Sequence, residues 1–324
     1  MQTNPFLIDI EDKHEYTLEE YKDIQRKLSE KNIDNLLNEY YPPANDFYKY
    51  PDFKNRCTNG FRQNIIDVTT NILPKKQLYT IGNGGNHQNC VICCTAFSHE
   101  NTDFKTQNDK SSRYNASQNI VKSLEEVGFN GYLYLMNGGF PNPTGTEMKY
   151  AGVPYCFKIF MMLEAKKIGF KNVLWIDSNC YAINNPQRLF DVLDEHPILF
   201  QPIIYGNSYD AMAFNPTIQL LNSITNTDIH NSTYLMTIVF GLNVQSDIIT
   251  NIIDEYYDMV KLGLPFLSIF PEEIVLTSII NKPKYRHLIH YIYETTRLQI
   301  HENKCDILTA KEQGYFFSHR NYKN

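Results

Sequence analysis

A carboxylate directly after a short apolar run can do polar chemistry in a dry setting, and Asp177 is such a residue. It closes the run Val173-Leu-Trp-Ile176 and leads into the polar turn Ser178-Asn179. Open α/β sheets take their ligands outside the carboxyl ends of the strands. A carboxylate there can bind a metal–diphosphate or a sugar hydroxyl strongly. Asn179, two residues on, faces the same way where the chain stays extended. Its neutral oxygen ligates hard cations less strongly than a carboxylate does. The plainer alternative is that Asp177 caps the following loop.

Other residues carry related chemistry. Lys158 lies in Pro154-Tyr-Cys-Phe-Lys158, on the helix before the Asp177 strand. Buried beside Asp177 it forms a paired ion; in solvent it is an ordinary helix lysine. Arg113 lies near a helix N-terminus, where it joins the helix dipole in holding a diphosphate. Glu272-Glu273 follow Phe270-Pro271 at a helix start. One of them is a candidate general base for a hydroxyl, although glutamates in a first turn also simply complement the dipole. Asp210, in the loop Tyr205-Gly-Asn-Ser-Tyr-Asp210, is a second candidate base. His319 ends an apolar run, Gly314-Tyr-Phe-Phe-Ser-His319-Arg320, that would anchor the tail in the fold.

The elements that position these residues alternate. Short apolar runs at 77–81, 90–97, 131–136, 172–177, 198–204, 234–244 and 288–293 read as strands. Helices are expected at 111–127, 154–168, 186–194, 216–224, 246–262 and 271–280, several with Pro or Ser at the start and Gly just past the end. Such alternation implies an α/β fold with a mixed, mostly parallel sheet covered by helices on both faces. Gly82-Asn-Gly-Gly-Asn86 is read as a turn, because a dinucleotide-binding fingerprint needs a helix directly after the glycines. Residues 1–85 read as a small helical N-terminal appendage with helices at 17–40 and 61–73. The first carries the apolar stripe Leu18, Tyr21, Ile24 and Leu28. The remaining 86–324 form the main domain.

The order of apolar strand, Asp177-Ser-Asn179, turn, and a Pro-started helix with Leu189-Phe190 resembles the GT-A type nucleotide-sugar glycosyltransferases. There the pattern is D-x-D, a turn and P-x-x-L-F. The resemblance is specific around 154–190 and covers roughly 88–324. It implies a GT-A-like, Rossmann-like domain that moves a hexosyl or pentosyl group from a UDP- or GDP-sugar to a hydroxyl acceptor on a glycan or protein. Thr95, Ala96 and Phe97 would hold the base and ribose. Lys158, in a Y-x-F-K-like element, would reach the donor phosphates or the acidic motif, with Arg113, Asp177, Ser178 and Asn179 around the donor. Glu272, Glu273 and Asp210 would face the acceptor. Asp177, Asn179 and His319 would hold manganese or magnesium. D-S-N in place of D-x-D also makes a metal-independent arrangement natural, with Lys158, Arg113 and Arg320 neutralising the leaving group. Two alternatives stand beside this reading. One is a catalytically degenerate transferase fold used as a sugar-binding or scaffold module. The other is a sugar nucleotidyltransferase, whose Gly-rich basic loop is missing after the first strand.

Composition sets the outer bounds. The 324 residues carry 42% hydrophobic and 20% charged residues and a net charge of −6. That suits a soluble globular protein and argues against a nucleic-acid binder, which would show a basic face. Seven cysteines without a framework suggest reduced thiols and a cytoplasmic setting. Cys90-Val-Ile-Cys93 has metal-ligand spacing but lies in an apolar run, so core thiols are expected. No apolar run approaches the roughly 18 residues of a membrane span. The first residues lack the basic and apolar regions of a secretion signal. The N-terminal helices are candidates for acceptor binding or a homodimer contact.

Overall fold

The computed structural model describes residues 4–11, 16–30, 75–95, 118–137, 148–203, 213, 215–268, 270–292, 297–301 and 304–319. Its main sheet has six strands: β1 (Lys75–Ile81), β2 (Asn89–Thr95), β3 (Gly131–Asn137), β4 (Asn172–Ile176), β6 (Ile198–Ile203) and β7 (Tyr234–Asn243). The order is β1-β3-β2-β4-β7-β6. The three central strands β3, β2 and β4 pair in parallel, and β1, β7 and β6 are added antiparallel. The sheet is thus mixed, with parallel pairing confined to its centre.

The strands divide the core by their period of two. Cys90, Ile92, Val173, Trp175 and Phe240 point to one face. There they pack with α3 (Phe157–Ile168), α6 (Asp247–Leu262) and α7 (Pro271–Ile280). Val91, Cys93, Leu174, Ile176 and Val239 point to the other. That face is covered by the helix α2 over 118–126, by α4 (Gln187–Glu195) and by a small second sheet. Cys90 and Cys93 therefore stand on opposite faces as core thiols, and burial pushes both thiols upward in pKa.

Connections on both faces create a switch point. The chain leaves β2, passes α2 on one face and returns as β3. It then passes α3 on the opposite face and enters β4 on the far side of β2. The chain thus adds β3 and β4 on opposite sides of β2, and the carboxyl ends of the parallel neighbours β2 and β4 lead to Thr95 and Asp177. Ligands of open α/β sheets bind in that crevice.

The N-terminal part joins this core. Thr17 and Glu20 form a capping box at the start of α1 (Leu18–Ser29). The stripe expected there turns inward: Tyr21, Ile24 and Leu28 pack with Phe6 and Ile8 in the main core. Asn4 donates to the carbonyls of Val260 and Lys261 at the end of α6. A Cβ at Gly263 would lie 2.1 Å from the Asn4 Oδ1, and Gly263 itself has φ +77, so only glycine serves there. β1 precedes residue 85 in sequence yet forms an edge of the main sheet. The expected helix over 61–73 lies outside the described residues.

Two expected elements differ. The helix placed from Pro154 starts at Phe157, because Tyr155 takes φ +56, which an α-helix cannot contain. The strand expected at 288–293 is a 3-10 helix, Arg286–Ile292, closed by local bonds such as Leu288 N–H to the Tyr285 carbonyl. The next strand is β8 (Arg297–His301). It pairs in parallel with β9 (Tyr315–His319), which pairs antiparallel with β5 (Cys180–Ala182). The helix at 215–225 is α5 (Asn215–Thr225), and α8 is Ile307–Glu312.

Candidate functional site

Asp177 leaves β4 with its backbone N–H bonded to the Ile238 carbonyl at 2.9 Å. Its carbonyl accepts from Cys180 N–H, which closes the tight Ser178-Asn179 turn. Trp175, two residues back on the same face of β4, donates its indole N–H to Asp177 Oδ1 at 2.8 Å. Lys158 Nζ reaches the same oxygen at 3.0 Å. No other described group bonds Oδ2, and the Asp177 side chain is 26% exposed. Among the described residues, one carboxylate oxygen is held and the other has no bonded partner.

Lys158 sits in the first turn of α3, which is buried on all sides there. Its ammonium lies over the Trp175 ring at 5.6 Å and meets Glu272 Oε1 at 2.7 Å, Asp177 Oδ1 at 3.0 Å and the Thr237 carbonyl at 3.1 Å. An ammonium has three donors, and all three are used. Lys158 therefore holds Asp177 and has no donor left for a donor phosphate. Burial works against its charge, but Asp177 and Glu272 outweigh that and hold its pKa above the ordinary lysine range.

Thr237 takes part because β7 breaks its register. Gln201 pairs with Met236, but the next residue on β6, Phe200, pairs with Phe240. On the other side, pairing with β4 stops at Val239. The Thr237 backbone is thus released from both ladders, as bulges do beside functional sites. Its N–H goes to Glu273 Oε1 at 3.0 Å and its carbonyl to Lys158. Its hydroxyl lies 2.8 Å from Glu272 Oε1 and 3.2 Å from Glu273 Oε1. Tyr234 donates its hydroxyl to Glu273 Oε2.

Glu272 and Glu273 are 4% and 6% exposed in the first turn of α7. A base must reach the hydroxyl it deprotonates; here Glu273 has both oxygens bonded, to Thr237 and Tyr234, and Glu272 has its Oε1 bonded to Lys158 and Thr237. Glu272 and Glu273, the expected candidate bases, lie in a buried ion cluster: one lysine against Asp177, Glu272 and Glu273. Burial, then the charge of Glu272, raises the Glu273 carboxyl to about 7, against the hydrogen bonds from Tyr234 and Thr237.

The small sheet brings the C-terminal tail to the turn. Cys180 is opposite His319 in the β5–β9 register, and Asn179 Nδ2 lies 2.8 Å from His319 Nε2. Asp177, Asn179 and His319 are thus gathered at one turn. A carboxylate oxygen, an amide oxygen and an imidazole nitrogen fit a weakly held divalent cation whose other ligands come from a bound diphosphate. For Asn179 and His319 to serve, their mutual bond must open and the amide turn its oxygen. Among the described residues no group of three or more His, Cys, Asp or Glu could hold a metal by itself.

Thr95, 4% exposed, ends β2 across the crevice. Ala96, Phe97, Arg113, Asp210 and Arg320 lie outside the described residues. Sequence reasoning passed over Trp175, Tyr234 and Thr237. Thr237 did leave a signal, as the one threonine inside an apolar run, and Trp175 is the chain's single tryptophan. Two surface clefts, of about 370 Å³ beside α1 and about 300 Å³ between α3 and α6, contain none of these residues.

Several solved structures are similar to this fold. The bifunctional glycosyltransferase WbbM aligns over 74% of this chain at 12% identity and a TM-score of 0.45, and the chain spans about 46% of WbbM. Mouse xyloside xylosyltransferase 1 aligns over 73% of this chain and 98% of its own at 8% identity and a TM-score of 0.40. Galactosyltransferase LgtC, solved with donor and acceptor sugar analogs, aligns over 72% of this chain and 86% of its own, at 12% identity and a TM-score of 0.37. No family model matches the chain, and no curated protein matches it in sequence. Among the described residues no helix is long and apolar enough to cross a membrane.

Proposed function

We propose that the protein transfers a sugar from a nucleoside-diphosphate sugar to a hydroxyl acceptor, with Asp177 at the centre of the donor site. One observation carries this reading. Asp177 stands at the switch point of the sheet with one oxygen fixed by Trp175 and Lys158 and the other open, beside Asn179 and His319. A core that invests a buried lysine and two buried glutamates in orienting a single carboxylate is organised around what that carboxylate binds.

The residues take distinct parts. Thr95 borders the crevice on the β2 side. Asp177 presents its open oxygen to the donor. Asn179 and His319 would complete a divalent site with Asp177, where manganese or magnesium would supply the positive charge that stabilises a departing diphosphate. Lys158 orients Asp177. Asp210 is retained as the candidate base, because Glu272 and Glu273 face the interior. The D-S-N turn has one carboxylate fewer than D-x-D, so the site depends on the diphosphate itself for its remaining metal ligands. Metal binding is therefore weak alone and strong with nucleotide present.

Calorimetric titration with UDP and with GDP, each with manganese and with a chelator, tests the reading. Binding of one nucleotide that requires manganese and is lost in Asp177→Ala, with the fold intact by circular dichroism, is the expected result. Binding indifferent to chelator would instead place the diphosphate on basic side chains such as Arg113 and Arg320. Absence of binding for every nucleoside diphosphate and diphospho-sugar would sink the transferase reading and leave a non-catalytic module.

A further inference from the structure

The Asp177 carboxylate is oriented from behind by a device that spans three elements. Lys158 comes from α3, Thr237 from the released stretch of β7, and Glu272 from the first turn of α7. The three meet only because β7 breaks register at 237–239. Repairing that break would return the Thr237 N–H and carbonyl to the ladders and leave Lys158 and Glu273 each a partner short. The shortest contact of the lysine is to Glu272, at 2.7 Å, and the Thr237 hydroxyl lies 2.8 Å from the same oxygen. The bonds of the Glu272 and Thr237 side chains run to Lys158, to Glu273 and to each other, with none to the Asp177 carboxylate, yet they decide where Nζ sits. Nζ, with the Trp175 indole, decides which oxygen of Asp177 is held.

We infer that Glu272 and Thr237 are positioning residues for the Asp177 site: they lock the Lys158 ammonium, and through it the side chain of Asp177, so that Oδ2 alone stays open to a ligand. The inference rests on the reading of Asp177 as the donor-site carboxylate, but its structural half can be read without any ligand. Trp175 is the only tryptophan of the chain, is 1% exposed and is bonded to the same oxygen. Its fluorescence reports the lock directly.

Three variants separate positioning from general structural damage. Thr237→Val removes the hydroxyl and keeps the branched shape. Thr237→Ser keeps the hydroxyl. Glu272→Gln keeps the shape and removes the charge. In Thr237→Val and Glu272→Gln the Trp175 emission is expected to move to the red and to become accessible to an added quencher, while Thr237→Ser stays at the wild-type position. Manganese–UDP or manganese–GDP binding, whichever the wild type shows, should weaken by about 10- to 100-fold in Thr237→Val and Glu272→Gln, the usual effect of losing a group that orients a ligand, and be retained in Thr237→Ser. Unchanged emission and quenching in both Thr237→Val and Glu272→Gln would overturn the inference. So would an emission change with nucleotide affinity kept. A wild type that binds no nucleotide would sink the transferase reading instead. The fluorescence arm would then still decide whether Glu272 and Thr237 hold Asp177. Should Glu272→Gln fail to fold, the Val and Ser variants at Thr237 decide the question alone.

Discussion

Two ion clusters of opposite composition stand in this molecule. At the surface, Glu255 of α6 accepts from Lys282 at 2.6 Å, from Lys284, and from the Tyr285 hydroxyl at 3.0 Å. That is one carboxylate facing two cations. In the interior, Lys158 meets Asp177 and Glu272, with Glu273 directly behind. That is one cation facing three carboxylates. The surface cluster fastens the turn after α7 to α6, and water and salt share its charges. The interior cluster has an excess of negative charge that only a proton or a bound cation can relieve. Exposed pairs add little stability. Buried ones incur a desolvation cost that well-packed apolar residues of similar volume would avoid. The surface cluster is explained by local fastening. The interior one is explained by the carboxylate it orients.

Removing the interior cation gives the largest expected effect. Lys158→Met leaves Glu272 and Asp177 without their counter-ion, at a cost of about 3–5 kcal/mol. Urea unfolding at pH 8 measures it. A double variant, Lys158→Met with Glu272→Leu, should recover a large part of the loss because it removes the more deeply buried of the two orphaned charges. A single-variant loss no larger than that of a surface pair would mean the interior is wet, and the contrast between the clusters would disappear.

Glu273 gives the next effect, in a stated direction. Its carboxyl is raised in the folded protein from 4.5 to about 7, by burial first and by Glu272 second. Between those values the folded state binds a proton that the unfolded state has lost. Stability therefore falls as pH rises through this window, by on the order of 3 kcal/mol in total. Glu273→Gln keeps the acceptor for Thr237 N–H and cannot ionise. Its stability should stay flat over the same range and exceed that of the wild type at pH 8. Parallel stability–pH curves for the two proteins would show that Glu273 ionises freely.

Legibility in the sequence followed how local each feature is. The Asp177 strand, turn and helix were readable because they are contiguous, and the helices were readable from their Pro, Ser and Gly ends. The start of α3 was misplaced because a left-handed Tyr155 leaves no mark in composition. The run Leu288–Ile292 was misread as a strand because a short apolar run fits a buried helical turn equally well. The candidate site was half legible. Asp177, Lys158 and His319 were singled out, and the structure places all three at or beside one turn. Glu272 and Glu273 were singled out for a solvent-side role, yet they point inward. Their partners, Lys158 and Thr237, lie far off in the chain, and the register break that joins them occurs within an unbroken apolar strand.

The smallest effect belongs to the surface cluster and completes the comparison. Lys282→Met should cost about 1 kcal/mol or less, since Lys284 and Tyr285 still bond Glu255 and solvent screens what remains. Raising ionic strength from about 0.01 M to about 1 M shortens the screening length from about 30 Å to about 3 Å. The difference between Lys282→Met and wild type should then vanish, while that of Lys158→Met persists. Their pH behaviour should also run in opposite senses. Burial raises the Glu255 carboxyl, but the hydrogen bonds from Lys282, Lys284 and Tyr285 outweigh it and hold the group below its ordinary 4.5. Its contribution is present above that value and is lost as pH falls through the folded pKa. Glu273 weakens the fold as pH rises and Glu255 weakens it as pH falls. A titration of stability from pH 3 to pH 8 on the two single variants, Glu255→Gln and Glu273→Gln, should therefore flatten opposite ends of the same curve. Flattening at the same end would mean that burial does not set the sign, and that the two clusters differ in composition only.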